Sequence, residues 1–203
     1  MHDLGRLTLR LTFGGLLSGH GLQKLGGWFG GPGLEGFAGM LESQGVRPAR
    51  QWAPLAGASE TAGGLLTGLG LLHPIGPIVS MAPMAVAAGT VHWGKPIWAH
   101  AGGAELALTN VAIALDQALE GPGAYSLDRL LRIRLPRRLV AAAAGLTAAG
   151  VAAAIALNRR SAMQQPAEQG DHSPATQPAG ADGAAEQPEP VLGWVPSGTA
   201  GHG

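Results

Sequence analysis

Five ionisable residues lie in or beside long apolar segments, where charged groups are costly to bury. They are His20, Lys24, Glu60, His92 and Glu105. In such surroundings charged groups usually pair with one another and face the protein interior. His20 and Lys24 share one face of a helix, since they are separated by one helical turn. An imidazole, an ammonium group and carboxylates from other helices could transfer protons or polarise the carbonyl group of a bound molecule.

These residue types define a candidate site at which a Lys24–carboxylate contact is expected. The catalytic candidates, as a proton-transfer cluster, are His20, Lys24, Glu60 and Glu105. His92 and Gln23 are candidates for binding a cofactor, and no metal site is predicted. In the competing interpretation the same charges only hold helices together, with the Lys24 side chain extending to the membrane surface.

The composition excludes several kinds of site. The chain has no cysteine, which excludes disulfides, thiolate metal sites and iron–sulfur ligation by this chain. Haem ligation by His20 and His92 is disfavoured, because two histidines are its only support in the sequence. The formal net charge is zero, so nucleic acid is not an expected partner.

The hydropathy pattern predicts an all-α, multi-pass membrane protein. Only 13% of the 203 residues are charged, compared with roughly 25% in soluble domains. Several windows approach the roughly 20 apolar residues that a helix needs to cross a bilayer. They cover residues 7–25, 52–72, 75–93, 104–119 and 139–157. We expect a four-helix transmembrane bundle, followed by a fifth transmembrane helix that is rich in alanine.

Charge distribution predicts the orientation of these spans. The loop after the fourth span is rich in arginine, with Arg129, Arg132, Arg134, Arg137 and Arg138. Such loops stay cytoplasmic, and the same rule applies to Arg6 and Arg10 before the first span. We therefore expect a plasma-membrane protein with a cytoplasmic N-terminus, an uncleaved first helix, and its ionisable cluster near the outer leaflet.

Smaller features add further structural predictions. Residues 34–42 have the pattern of a short amphipathic helix at the membrane interface, and the polar residues 158–203 predict a disordered tail. GxxxG spacings at 15–19 and 64–68 favour close helix contacts within the bundle or in a homo-oligomer. An aromatic belt at the outer boundary is predicted from Trp28, Trp52, Trp93 and Trp98.

Several ordered motifs resemble the DoxX family of small bacterial membrane proteins. They are HGLQKLGGWFGGPGLEGF from His20, GASETAGGLLTGLGLL around Glu60, VHW at His92, GGAE before the fourth span and GPGAYSLD after it. The resemblance covers about residues 6–131. It implies a four-helix membrane bundle in residues 1–135, which leaves 136–157 as the fifth span and 158–203 as the tail.

The resemblance also implies hypotheses of function. The family is similar to a membrane subunit of thiosulfate:quinone oxidoreductase, and other members resemble partners of oxidative-stress and thiol-redox complexes. The first hypothesis is a redox-associated membrane protein that holds a quinone, with electrons from a bound cofactor or a soluble oxidoreductase partner subunit. The alternatives are a non-catalytic scaffold that recruits a redox or stress-response partner, and a small proton-coupled transporter. Whether the protein is an enzyme stays open at this point.

Overall fold

A computed structural model describes residues 2–163, and every regular element in this range is helical. The α-helices are α1 (His2–Gly26), α2 (Gly33–Ser43), α3 (Ala49–Leu69), α4 (Ile75–Gly89), α5 (Glu105–Glu120), α6 (Leu127–Leu131) and α7 (Arg137–Met163). Single turns of 3-10 helix lie at Trp28–Gly30 and Ala99–Ala101. The all-α prediction is confirmed for these residues.

The connections between the long helices collect at two ends of the described unit. We call the end formed by residues 27–48 and 90–104 the α2 end, and the end formed by 70–74 and 121–136 the α6 end. The start of α1 lies at the α6 end, where it is hydrogen-bonded to the segment after α5. The last turns of α7 lie at the α2 end, where an asparagine of α7 bonds to the backbone before α3. The five long helices therefore run between the same two ends.

α1 and α3 cross in close contact at glycines. A Cβ atom added at Gly14 would lie 2.5 Å from the carbonyl oxygen of Gly64 and 2.6 Å from the amide nitrogen of Gly68. The predicted close contact is thus present on α3, but α1 makes it through Gly14. At Gly15 and Gly19 an added Cβ would have no neighbour within 4 Å. The spacing of glycines predicted a contact, but it did not indicate which face of α1 makes it.

Two helix boundaries and one short helix differ from the sequence prediction. α3 ends at Leu69 because Gly70 takes a left-handed conformation (φ 62°), which terminates a helix without strain. α4 ends at Gly89, and residues 90–93, which the prediction places in the third span, form turns instead. α6 was not predicted, since a helix of five residues is too short to show a periodic pattern. The amphipathic helix predicted at 34–42 corresponds closely to α2.

α7 packs mainly against α4, where Ile155 lies over Gly89 and Ala154 is buried. Among the described residues, α7 is the one helix whose length and apolar composition suffice to cross a membrane. It continues to Met163, beyond the predicted end of the fifth span. The first residues of the predicted tail are therefore helical, and the rest of the tail, 164–203, lies outside the described residues.

Candidate functional site

An ion pair between Lys24 and Glu60 joins α1 to α3. Lys24 Nζ donates to both carboxylate oxygens of Glu60, which is the Lys24–carboxylate contact expected from the sequence. The Glu60 side chain is 2% exposed and that of Lys24 is 22% exposed. A carboxylate removed so completely from solvent needs a countercharge. Lys24 can reach it because Gly21 and Gly57 bring the two backbones together beside the pair.

His20 lies one turn before Lys24 on the same helix. Its Nδ1 is 3.0 Å from Oε1 of Gln23. With the amide oxygen as acceptor, Nδ1 carries the ring proton and Nε2 presents a lone pair. Within residues 2–163 no hydrogen bond to Nε2 is formed, so this atom is available for a hydrogen bond with a ligand. Gln23, a predicted cofactor-binding residue, instead orients His20.

The other two predicted site residues lie at or beside the α2 end, Glu105 as the first residue of α5 and His92 in the turn after α4. Oε2 of Glu105 accepts a hydrogen bond of 2.8 Å from the Ala99 amide, which fixes the loop before α5. Glu105 is therefore separate from the ion pair. His92 stands in the turn after α4, and its Nδ1 donates to the Gly102 carbonyl at 2.7 Å. The structure thus brings the α1 and α3 candidates together and leaves Glu105 outside the group.

A cavity of about 620 Å³ lies beside the ion pair. Side chains of α1 to α5 and α7 line it, and most of its surface is apolar, with Phe37 and Trp52 among the large contributors. His20, Lys24 and Glu60 all line it as well, and His92 does so from the turn after α4. Volumes of 300–1,000 Å³ with a few polar groups on apolar walls are typical of small-molecule sites.

The Lys24 ammonium group has one donor available to a ligand. It carries three N–H bonds, of which the carboxylate of Glu60 takes two. No other hydrogen-bond acceptor among residues 2–163 contacts Nζ, which lies 5.0 Å from the centre of the Phe37 ring. The remaining N–H could therefore bind a carbonyl or hydroxyl oxygen in the cavity. With Nε2 of His20 nearby on the same helix face, the site offers one charged donor and one neutral acceptor.

A second polar cluster stabilises the α6 end, and the sequence analysis missed it. The Arg10 side chain, 4% exposed, donates to two backbone carbonyls of the segment after α5 at 2.7 and 2.8 Å. Asp128 accepts from the amides of Leu72 and His73 at 2.8 and 2.7 Å. The available signal was the motif GPGAYSLD, because a polar residue next to apolar ones after a glycine turn often binds backbone groups.

Protonation of this second cluster is set by burial. Desolvation lowers the pKa of His73 below its ordinary value, although the nearby Asp128 carboxylate opposes that shift. His73 is therefore neutral at neutral pH. Because Arg10 and Asp128 are both bonded to backbone atoms, we assign this cluster to structure and the cavity at the Lys24–Glu60 pair to ligand binding.

The sequence motifs of the site agree with a family comparison. The family model described as DoxX matches residues 5–93, a range that contains both members of the Lys24–Glu60 pair and the adjacent His20. Residues 5–93, fewer than half of the 203 residues, are therefore similar to the DoxX family. The family is membrane-associated, which suggests a membrane protein. No curated protein and no solved structure matches the chain.

The DoxX match covers α1 to α4, whereas α5, α6 and α7 follow it. The match confirms the resemblance drawn from the motifs around His20, Glu60 and His92. The later motifs GGAE and GPGAYSLD lie beyond the matched range. Most of the cavity is therefore built by the DoxX segment, and the later helices add to it.

Proposed function

We propose that this protein is a multi-pass plasma-membrane protein whose cavity binds a lipid-soluble quinone. The observation that carries the proposal is the free N–H of Lys24 at an apolar cavity, with the buried carboxylate of Glu60 behind it. A quinone matches this arrangement because it has carbonyl oxygens on an apolar ring. The cavity is also large enough for such a ring and part of its side chain.

In the proposed membrane arrangement α7 crosses the bilayer by its own length and apolar composition, and α1, α3, α4 and α5 cross it packed as a four-helix bundle, although none of these four meets that length and composition test alone. Large apolar side chains on these helices are exposed in the isolated chain, as expected for a surface that faces lipid. Examples are Leu16 (66% exposed), Leu65 (51%) and Leu119 (78%). The arginines around α6 support a cytoplasmic α6 end. The exposed Trp93 and Trp98 support a membrane interface at the α2 end, which would then be the outer one.

The residues at the cavity have complementary roles toward a quinone. Lys24 donates a hydrogen bond to one carbonyl oxygen and stabilises negative charge on that oxygen. Glu60 accepts two hydrogen bonds from Lys24 and so fixes its position. Nε2 of His20 accepts a hydrogen bond from the hydroxyl group of the reduced ligand. Conversion of a quinone to a hydroquinone takes up two electrons, which a bound cofactor or a soluble oxidoreductase partner would supply, and two protons, which would come from water.

Equilibrium binding of a decyl-benzoquinone to the full chain in lipid nanodiscs tests this function. The variant Lys24→Met/Glu60→Gln removes both charges together and should raise Kd about tenfold to a hundredfold, because a charged hydrogen bond contributes about 1.5–3 kcal/mol. The matched control is Arg6→Gln/Glu120→Gln, which removes an ion pair at the α6 end and should leave Kd unchanged.

Two results would contradict the proposal. Equal quinone affinity of the wild type and the Lys24→Met/Glu60→Gln variant would mean that the pair is not part of the site. Absence of quinone binding, together with stoichiometric recovery of an oxidoreductase from native membranes, would favour the scaffold alternative.

A further inference from the structure

α7 supplies one wall of the cavity, although it lies outside the matched DoxX range. Leu146, Gly150 and Val151 of this helix line the cavity together with Trp52 and Leu55 of α3. Apart from its contact with α4, α7 is little covered, and only 6% of its most apolar window is buried. α7 therefore forms a narrow wall of the cavity, and both flanks of this helix are exposed at the protein surface.

Exposed apolar lining residues indicate that the cavity reaches the protein surface between α3 and α7, as it also does at Leu106 of α5. Leu55 and Leu146 both line it and are nevertheless 59% and 75% exposed. If α3 and α7 lie in a bilayer, an opening bordered by exposed leucines of these two helices faces the hydrocarbon core of the membrane. The charged pair of the cavity lies elsewhere, on α1 and α3, and Thr147 is the one polar side chain that α7 adds to the lining.

We propose that the occupant is an amphiphile with a long hydrocarbon chain, and that this chain leaves the cavity between α3 and α7 and enters the bilayer. This inference rests on the proposed function. It adds that α7 determines selectivity for the hydrocarbon chain of the ligand and not for the quinone ring. Each buried methylene group contributes about 0.8 kcal/mol, so contacts with α7 alone can separate ligands by chain length.

Gly150 offers a direct test, because a side chain can be added there without collision. A Cβ built at Gly150 has no atom within 4 Å, and the residue lines the cavity, so Gly150→Leu places a side chain in the path of the ligand. Gly145→Leu is the matched control: its Cβ also has no atom within 4 Å, and Gly145 is not among the lining residues. Both variants should keep the wild-type Tm.

The probes are a dimethoxy-methyl-benzoquinone without a side chain and its decyl derivative, each titrated into nanodiscs that hold the full chain and expressed as mole fraction in lipid. Gly150→Leu should weaken binding of the decyl derivative about tenfold or more, relative to Gly145→Leu, while the affinity for the bare ring is retained. Equal affinity of the two variants for the decyl derivative would overturn the inference. Equal weakening of both probes would overturn it too, since α7 would then contact the ring.

Failure of the function itself has a different signature. If neither probe binds the wild type, the quinone site is wrong and this inference is wrong with it. If both probes bind in a manner that depends on Lys24, but Gly150→Leu has no effect, only the role of α7 is wrong.

Discussion

Lys24→Met should lower the free energy of unfolding by about 3–5 kcal/mol, because it leaves the carboxylate of Glu60 buried without its partner. Glu60 is 1% exposed, and both of its side-chain oxygens accept hydrogen bonds from Lys24. Methionine keeps the length and apolar contacts of the lysine stem, so that the measured change reports on the charge. Reversible unfolding in mixed micelles of a mild detergent and dodecyl sulfate gives the required free energies.

The double variant Lys24→Met/Glu60→Gln is the control for this prediction. With both charges removed, most of the lost stability should return, since no buried charge is left unpaired. Quinone affinity should not return with it, and this difference separates the structural role of the pair from its role in binding. If the single variant is as stable as the double variant, the Glu60 carboxylate does not depend on Lys24 and the account of the pair is wrong.

Gly14→Ala should destabilise the protein by about 1–3 kcal/mol or more. The new methyl group would overlap backbone atoms, which cannot move away by a change of rotamer as a side chain can. The nearest atoms belong to Gly64 and Gly68 of α3, at 2.5–2.7 Å from the added carbon. The α1–α3 crossing also positions the Lys24–Glu60 pair, so the cavity should be altered as well. The measurement is again the free energy of unfolding, combined with the quinone affinity of the folded fraction.

The neighbouring glycine provides a stringent control. Gly15→Ala adds the same methyl group one residue along α1, at a position with no atom within 4 Å. It should be neutral or stabilise the helix by up to about 1 kcal/mol, since alanine is the better helix former. Similar losses of stability in the two variants would contradict the described crossing of α1 and α3.

A Lys24–carboxylate contact, with Glu60 or Glu105 as the partner, was predictable from sequence because charged residues in apolar helices must find a countercharge. Two ionisable residues on apolar helices have few alternatives to pairing, and the spacing of His20 and Lys24 puts them on one face. The same reasoning failed for Glu105. Glu105 begins α5 and accepts a hydrogen bond from the Ala99 amide in the preceding loop. The sequence does not indicate whether this amide or the Lys24 ammonium group lies within reach.

Other features depend on contacts between distant parts of the chain. The choice of Gly14 over Gly15 follows from the rotation of α1 about its axis, which the packing of all helices determines. The cavity walls contributed by α2 and α7 depend on how these helices are placed against α3 and α4. Periodicity predicted that α2 and α7 are helices, but it could not predict that they enclose a common space.

The central claim, that the cavity at the Lys24–Glu60 pair holds the headgroup of a quinone, is tested most directly by photolabelling. A quinone with a photoreactive azide on its ring is irradiated with the full chain in nanodiscs, and the labelled residues are identified by peptide mass spectrometry. The account predicts labels on cavity residues near the pair, such as His20, Phe37 and Ser59, which unlabelled quinone suppresses. Labels confined to the α6 end, or labels that unlabelled quinone does not suppress, would contradict it.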